Sequence, residues 1–317
     1  MRPPPSPVDQ GLAPAAPDDL RGWPALAAAR HQQQARVPFW VGGPEEARPV
    51  LAGSVARADL PALADWPALL ALTPEGVHLR CPAADRDPEL ARLHQALRQQ
   101  GRIRAWRDEP YPLLAEDGRH LAVIERAAAR FWGAITFGVH CNGYVAGPDG
   151  RPTGLWIARR ADHKPTDPGR LDNLVGGGVP LGQTPRQALC REAWEEAGLR
   201  TEELVGLRAG SVLSLTCDLP EGLQREWLHV YDLALPAGRE PCNQDGEVAW
   251  HRLMPVAQAL ALAAAGELTV DASLATLDFA LRHGLLAADA AAPLAAALAA
   301  LRVPPEAAAR VDPPVGK

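Results

Sequence analysis

Apolar and polar positions alternate along Ile135–Val145 and Gly154–Ala158, separated by the turn Gly147-Pro148-Asp149-Gly150. A period of two with such a break predicts a strand, a turn and a second strand. Further strands are expected at Leu69–Leu72, Val77–Leu79, Val205–Leu215, Glu226–Leu235 and Val248–Leu253. Helical spacing marks Trp23–Gln34, Pro88–Gln100 closed by Gly101, His120–Trp132, a helix opened by Pro255 and ended by Gly266, Ala272–His283 closed by Gly284, and Ala292–Leu301. One helix is bounded by local signals alone. Thr184 can cap it, Pro185 suits its first position, Gln187 completes a capping box, and Gly198 supplies a left-handed stop. Leu189, Cys190, Ala193 and Ala197 give it an apolar strip, and Glu192 and Glu196 lie on the strip beside it. Helices and strands are interleaved, so the class is mixed α and β.

The polar strip of that helix carries the chemistry. Glu192, Glu195 and Glu196 follow Arg191 as R-E-x-x-E-E-x-G, behind glycines at 176, 177 and 178. Carboxylates three and four residues apart share a helix face and repel, costing a few tenths of a kcal/mol per pair. A divalent cation reverses that sign, because Mg²⁺ takes a few carboxylates and fills its other positions with water and phosphate. A solvated helix end is the bland alternative. Six specified positions at about 5–10% usage each coincide by chance on the order of once in ten million starts, which favours function.

Composition narrows the classes. A chain of 317 residues, 47% hydrophobic, can bury one large or two moderate cores. A net charge of −6 argues against a nucleic-acid surface, and no stretch is long and apolar enough to span a bilayer. Five cysteines, Cys81, Cys141, Cys190, Cys217 and Cys242, are scattered without zinc spacing, which suits a reducing cytoplasm. A homo-oligomer finds no support. Six prolines in residues 1–18 predict a disordered leader. The expected division is an N-terminal α+β domain at 19–134, a domain bearing the acidic helix at 135–302, and a disordered tail at 303–317.

The spacing resembles the Nudix box, G-x5-E-x7-R-E-U-x-E-E-x-G-U with U aliphatic: Gly177, five residues, Gln183, seven residues, then Arg191 through Leu199. Gln183 departs from it, keeping an acceptor oxygen but losing the charge, which by resemblance alters the loop and leaves the metal core. FGVHCNGYV (137–145), ARRADHKPTDPGRLDNLVGGG (158–178), VYDLALP (230–236), QDGEVAWHRLMPV (244–256) and LDFALRHGLL (277–286) resemble the Nudix branch that some fungi fuse to thiamine pyrophosphokinase. PFW (38–40) and IRAWRDEPYPLL (103–114) are similar to the N-terminal domain of undefined role found in that branch. The resemblance implies a Nudix α/β/α sandwich with a mixed sheet, preceded by a smaller α+β domain that either roofs the pocket or mediates dimerisation. It also implies Mg²⁺-dependent hydrolysis, with Mn²⁺ as substitute, of thiamine diphosphate or its damaged oxy and oxo analogues to monophosphates. ADP-ribose or another nucleoside diphosphate-X is the alternative substrate, and a Nudix-fold binding module without turnover the alternative function. An isomerase would need metal-binding histidines that are not arranged here.

On that reading Glu192, Glu195 and Glu196 hold the metal, the Gly176 carbonyl joins by resemblance, and Arg191 orients a glutamate. By resemblance the general base is either a box glutamate, Glu192, or a carboxylate on a later loop, where Glu247 is the first candidate and Asp245 the second, with Glu226 on the preceding strand a weaker option. Lys164, Arg159 and Arg160 are expected on phosphate, Arg170 less so, and Asn173 presents an amide to the substrate or caps its loop. Trp106, Trp132, Phe137, Trp227 and Tyr231 could stack on a ring, although core packing is the default for each. His140 is read as a satisfied strand histidine, and Trp194 as packed against a neighbouring element.

Overall fold

The computed structural model describes residues 22–308 except 44 and 47. The 1–18 leader and the end of the 303–317 tail lie outside the described residues. Pro305–Ala308 within that tail forms a turn of helix rather than irregular chain.

The first half contains α1 (Pro24–Ala28), β1 (Arg36–Val41), β2 (Val50–Ala56), α2 (Leu60–Leu63), β3 (Leu70–Thr73), β4 (Gly76–Leu79), α3 (Arg86–Gln99), β5 (Pro110–Leu114), β6 (His120–Glu125) and α4 (Arg126–Trp132). A four-stranded sheet runs β2-β1-β4-β3, and β5-β6 is a separate hairpin. Phe39 stacks on Trp132 at 4.2 Å between ring centroids in the core beneath them. Trp132 Nε1 donates to His94 Nε2 at 2.8 Å, and burial holds that histidine neutral, its pKa pushed down to about 3.

Several expectations are corrected here. The helix expected over His120–Trp132 is β6 followed by α4. His120 and Ala122–Glu125 pair with β5 around a bulge, and the Glu125 side chain turns the chain by accepting from the Ala127 N–H at 3.2 Å. Strands β1, β2 and β5 were not foreseen. The helix expected over Trp23–Gln34 stops at Ala28 and packs on the other half of the molecule, where Trp23 Nε1 donates to the Ser273 carbonyl at 3.0 Å.

The second half contains β7 (Ile135–Ala146), β8 (Pro152–Arg160), β9 (Leu171–Asp172), β10 (Val175–Gly178), α5 (Pro185–Ala197), β11 (Arg208–Leu219), β12 (Gly222–Ala234), β13 (Val248–Pro255), α6 (Val256–Ala264), α7 (Val270–Arg282) and α8 (Ala288–Ala299). The sheet runs β11-β12-β7-β8-β13, with β10 on β7 and β9 on β8. β7 and β12 are parallel and the remaining pairs antiparallel, so the sheet is mixed. α5 covers one face with Leu189, Ala193 and Ala197, while α6, α7 and α8 cover the other. This is the α/β/α sandwich in an α+β chain. β11 begins at Arg208, not Val205, which is 83% exposed. Among the described residues no helix is long and apolar enough to cross a membrane.

Candidate active site

The acidic helix forms as its local signals dictate. Thr184 accepts from the Gln187 N–H, Gln187 reaches back to the Thr184 N–H, and Gly198 closes α5 with φ 62°. The apolar strip is drawn onto β7 and β10, which pulls the adjacent polar strip inward. Glu192 and Glu196 are therefore 8% and 6% exposed.

Arg191 arranges the cluster. Its guanidinium lies 2.9 Å from Glu192 Oε1 and 2.8 Å from Glu195 Oε2. It also donates to Gln183 Oε1 at 3.5 Å and to the Gly178 carbonyl at 3.4 Å. Gln183 thus keeps the acceptor role expected of it, across a long contact. Glu196 Oε2 accepts from the Gly176 N–H at 2.8 Å. A Cβ at Gly177 would collide with the Glu192 carboxylate, and one at Gly178 with the Tyr111 hydroxyl. The bare glycine strand lets carboxylates and backbone approach closely.

Burial sets the electrostatics. It pushes the Glu192 carboxyl up to about 7 despite the opposing Arg191, with Glu195 adding to the rise. Burial, then Glu192 and Asp172, raise Glu196 well above the usual carboxylate range. Ionising both is costly until a cation offsets the charge.

A cleft of about 600 Å³ opens beside the cluster. Glu192, Glu195, Gly176 and Arg191 line one side of it, and Arg160, Lys164, Glu226 and Glu247 other parts. Lys164 and Glu247, expected in separate roles, form an ion pair with each other. Although burial opposes it, Lys164 holds the Glu247 carboxyl below its usual value, which makes that group a weak base. Asp245 instead accepts from the Glu247 N–H at 2.8 Å and shapes the turn. Glu226 has the contrary environment: burial, then Asp271, push it up to about 7.

Arg160 points into the cleft and binds Asp172 at 2.9 Å. Arg159, one residue away, does not line the cleft and pairs with Asp162 at 2.6 Å. Successive strand residues face opposite ways, so the two cannot share a ligand there. Arg170 donates to the Leu268 carbonyl at 2.7 Å. Asn173 does not reach the cleft. Its amide donates to Asn142 Oδ1 and Thr276 Oγ1, both at 3.0 Å, and its Oδ1 lies 2.9 Å from His140 Nδ1. His140 is a satisfied strand histidine whose ring also borders the cleft. None of Trp106, Trp132, Phe137, Trp227 and Tyr231 lines it. Trp194, expected to be packed, is 46% exposed.

Of the two roles expected for the N-terminal half, roofing the pocket or dimerising, the cleft shows the first in residues that were not foreseen. Arg107, Asp108, Glu109, Arg126 and Arg130 line the same cleft, as does Asp271 on α7. No motif marks them. The one available signal was the stretch IRAWRDEPYPLL, in which only the tryptophan drew notice.

The donor set, carboxylate oxygens beside a backbone carbonyl strand, is of the kind a hard divalent cation takes. Glu192 and Glu195 meet Arg191, and Glu196 meets Gly176, each through one carboxylate oxygen; among the described residues the other oxygen makes no hydrogen bond or ion pair. As they stand among the described residues, no three such side chains already converge in a ligating array. Arg191 would have to yield part of its grip for all three to meet one ion.

Two family models match the chain. The NUDIX domain model covers residues 137–273, and a model described as a domain of unknown function, DUF4743, covers residues 24–136. Nudix hydrolase 20, chloroplastic, of Arabidopsis thaliana is 38% identical over 64% of this chain and 54% of its own length. Nudix hydrolase 24, chloroplastic, of the same plant is 38% identical over 64% of this chain and 55% of its own. The chain thus spans about half the length of the curated relatives it matches. The crystal structure of DR0079 from Deinococcus radiodurans, 24% identical, covers 54% of this chain and 99% of its own with a TM-score of 0.41.

Proposed function

Since the chain carries a NUDIX domain at residues 137–273 behind a DUF4743 domain at 24–136, we propose that it is a Mg²⁺-dependent hydrolase of a diphosphate linkage. The observation that carries this reading is the set of Glu192, Glu195 and Glu196: Glu192 and Glu196 are buried, and Glu192 and Glu195 line a cleft that also holds cationic side chains. Glu192, Glu195 and Glu196 would hold the ion through their free oxygens, with Mn²⁺ as a substitute. The ion would neutralise phosphate oxygens and lower the pKa of a bound water.

The residues of the chain do the rest. Arg191 keeps Glu192 and Glu195 in place through charge-assisted hydrogen bonds. Glu226, with a pKa near neutrality, takes the proton from the attacking water. Lys164 holds Glu247 at the cleft edge and turns toward phosphate as substrate enters.

The substrate we favour is thiamine diphosphate, or its damaged oxy and oxo analogues, cleaved to the monophosphate. The resemblance to the branch fused to thiamine pyrophosphokinase supports it. So does Asp271, whose Oδ1 is buried in the protein without a hydrogen-bond partner: a carboxylate near a cleft without stacking aromatics complements a cationic ring better than a neutral base. The chloroplast location belongs to the plant relatives' names; for this chain, five free cysteines support a reducing cytoplasm. The test is release of monophosphate by purified protein from thiamine diphosphate, its oxo analogue, ADP and ADP-ribose, with and without Mg²⁺. Turnover of ADP-ribose alone would move the substrate to nucleoside diphosphate-X. Binding without turnover of any compound would make the protein a binding module.

A further inference from the structure

Six cationic side chains line the cleft, and five are neutralised. Arg126 pairs with Glu109, Arg130 with Glu221, Arg160 with Asp172, Lys164 with Glu247, and Arg191 with Glu192 and Glu195. Among the described residues Arg107 has no carboxylate within 4 Å. Its side chain makes one long hydrogen bond, to Thr166 Oγ1 at 3.4 Å, across to the loop that carries Lys164.

The fold goes to some trouble to present this arginine. Ala105 and Asp108, on either side of it, adopt left-handed φ values of 55° and 56° that side-chain-bearing residues rarely take. Glu125 holds the loop, accepting from the Arg107 N–H at 3.0 Å and the Glu109 N–H at 3.1 Å. Asp108 accepts from Trp106 Nε1 at 2.7 Å. Backbone strain retained this way clusters where a ligand is met. Burial, then the neighbouring charges of Arg126 and Arg130, lower the Arg107 pKa against the attraction of Glu247 and Glu109.

We infer that Arg107 is the clamp by which the N-terminal domain takes the free terminal phosphate of a diphosphate monoester. This rests on the diphosphate-hydrolase reading and deepens it. A terminal phosphate carries between one and two negative charges near neutrality, because its second pKa is about 6, whereas each phosphate inside a diester carries one. Guanidinium forks bind phosphate oxygens in pairs. The uncompensated charge of Arg107 is therefore matched to the end of a substrate and not to its middle. The acidic helix meets the bridge, and the N-terminal domain reads whether the chain of phosphates stops there.

The experiment compares wild type with Arg107→Gln and Arg107→Lys, with thermal melts confirming that all three fold. Inorganic pyrophosphate is titrated calorimetrically without metal, so this arm stands even where no turnover exists. Loss of one charged contact predicts binding weaker by about tenfold to hundredfold in Arg107→Gln, with part recovered in Arg107→Lys. Mn²⁺ binding, read by its electron paramagnetic resonance signal, stays as in wild type. With turnover, KM for ADP or thiamine diphosphate rises by the same factor, kcat stays within about threefold, and KM for ADP-ribose stays within about threefold. Pyrophosphate affinity within about twofold of wild type in Arg107→Gln, or equal losses for monoester and diester, would overturn the inference. Absence of turnover by the wild type with pyrophosphate loss in Arg107→Gln would sink the hydrolase reading and leave the clamp standing.

Discussion

Two helices of the sandwich use the same device to different ends. On α7, Arg282 binds Asp278, four residues earlier, at 2.7 Å and reaches Asp232 on β12 at 2.9 Å. On α5, Arg191 binds Glu195, four residues later, at 2.8 Å and its neighbour Glu192 at 2.9 Å. Around Arg282 every acidic oxygen is used. Asp278 also accepts from the Ser211 hydroxyl at 2.6 Å and its N–H at 3.2 Å, while Asp232 also accepts from Asn142 at 3.2 Å and meets His283 at 3.1 Å. Around Arg191, Glu192 and Glu195 each spend one oxygen and, among the described residues, keep one. The first cluster is sealed at the inner face of the sheet; the second opens on the cleft. Each arginine holds two carboxylates, but Asp232 and Asp278 are fully buried whereas Glu195 is 36% exposed, so spare acceptor capacity with access to solvent is what separates a structural cluster from a binding one.

Mutation of the two clusters should therefore fail in opposite ways. Glu196→Gln should cut metal-dependent turnover by roughly a thousandfold or more while the fold survives, read as kcat beside a thermal melt. Asp278→Ala, in the sealed cluster, should cost about 3 kcal/mol of stability by leaving Ser211 unpaired and Arg282 with Asp232 alone, read by denaturant unfolding. Folded Asp278→Ala protein should keep a kcat close to wild type. A stable Asp278→Ala, or an unfolded Glu196→Gln, would erase the distinction.

A pH series sharpens the contrast next. The Glu192 pKa is raised on folding, from the usual carboxylate value to about 7. Its protonated form is favoured in the fold, so metal-free stability is greatest near pH 4–5 and falls as pH climbs through about 7, by up to about 3 kcal/mol. Glu192→Gln should flatten this fall, and saturating Mg²⁺ should reverse it, both measured as melting temperature across pH 5–8. A pH-independent profile in metal-free wild type would contradict the burial argument. Gly177→Ala should displace the Glu192 carboxylate and weaken Mn²⁺ binding by about tenfold to hundredfold, read by titration. The smallest effect belongs to Gln183→Glu. It gives Arg191 a charged partner in place of an amide at 3.5 Å and should alter kcat by no more than about threefold.

How far the sequence foretold each region follows from the range of the interactions involved. α5 was legible to the residue because Thr184, Pro185, Gln187 and Gly198 act within one turn of themselves. β7 and β8 were legible because alternation is written along the strand. The segment 120–132 misled because Ala-rich residues after Arg126 suit a helix, whereas Leu121–Ile124 become a strand only against β5, a partner that is itself a strand only in that pairing. β1 carries Pro38 in an interior position between β2 and β4, a placement that local propensity argues against. At the site, the acidic helix and its arginine were found through their spacing. Arg159 and Arg160 could have been separated by strand alternation alone. Arg107, Arg126 and Asp271 could not have been found, since they meet the cluster only through the packing of one half on the other.

The join between the halves has a mechanical consequence. α4 ends at Trp132, Gly133 turns the chain with φ 50°, and β7 begins at Ile135, so Gly133 and Ala134 alone connect the arginine-bearing wall to the central strand of the sandwich. A Cβ on Gly222 of β12 would strike the Arg130 carbonyl, and the Leu181 N–H donates to the Pro110 carbonyl at 3.0 Å, which rivets both sides of this seam. With no slack to swing on, the jaws of the cleft hold a fixed gauge. Any substrate must be sized to that opening, and only the side chains and the loop around Lys164 are left to adjust.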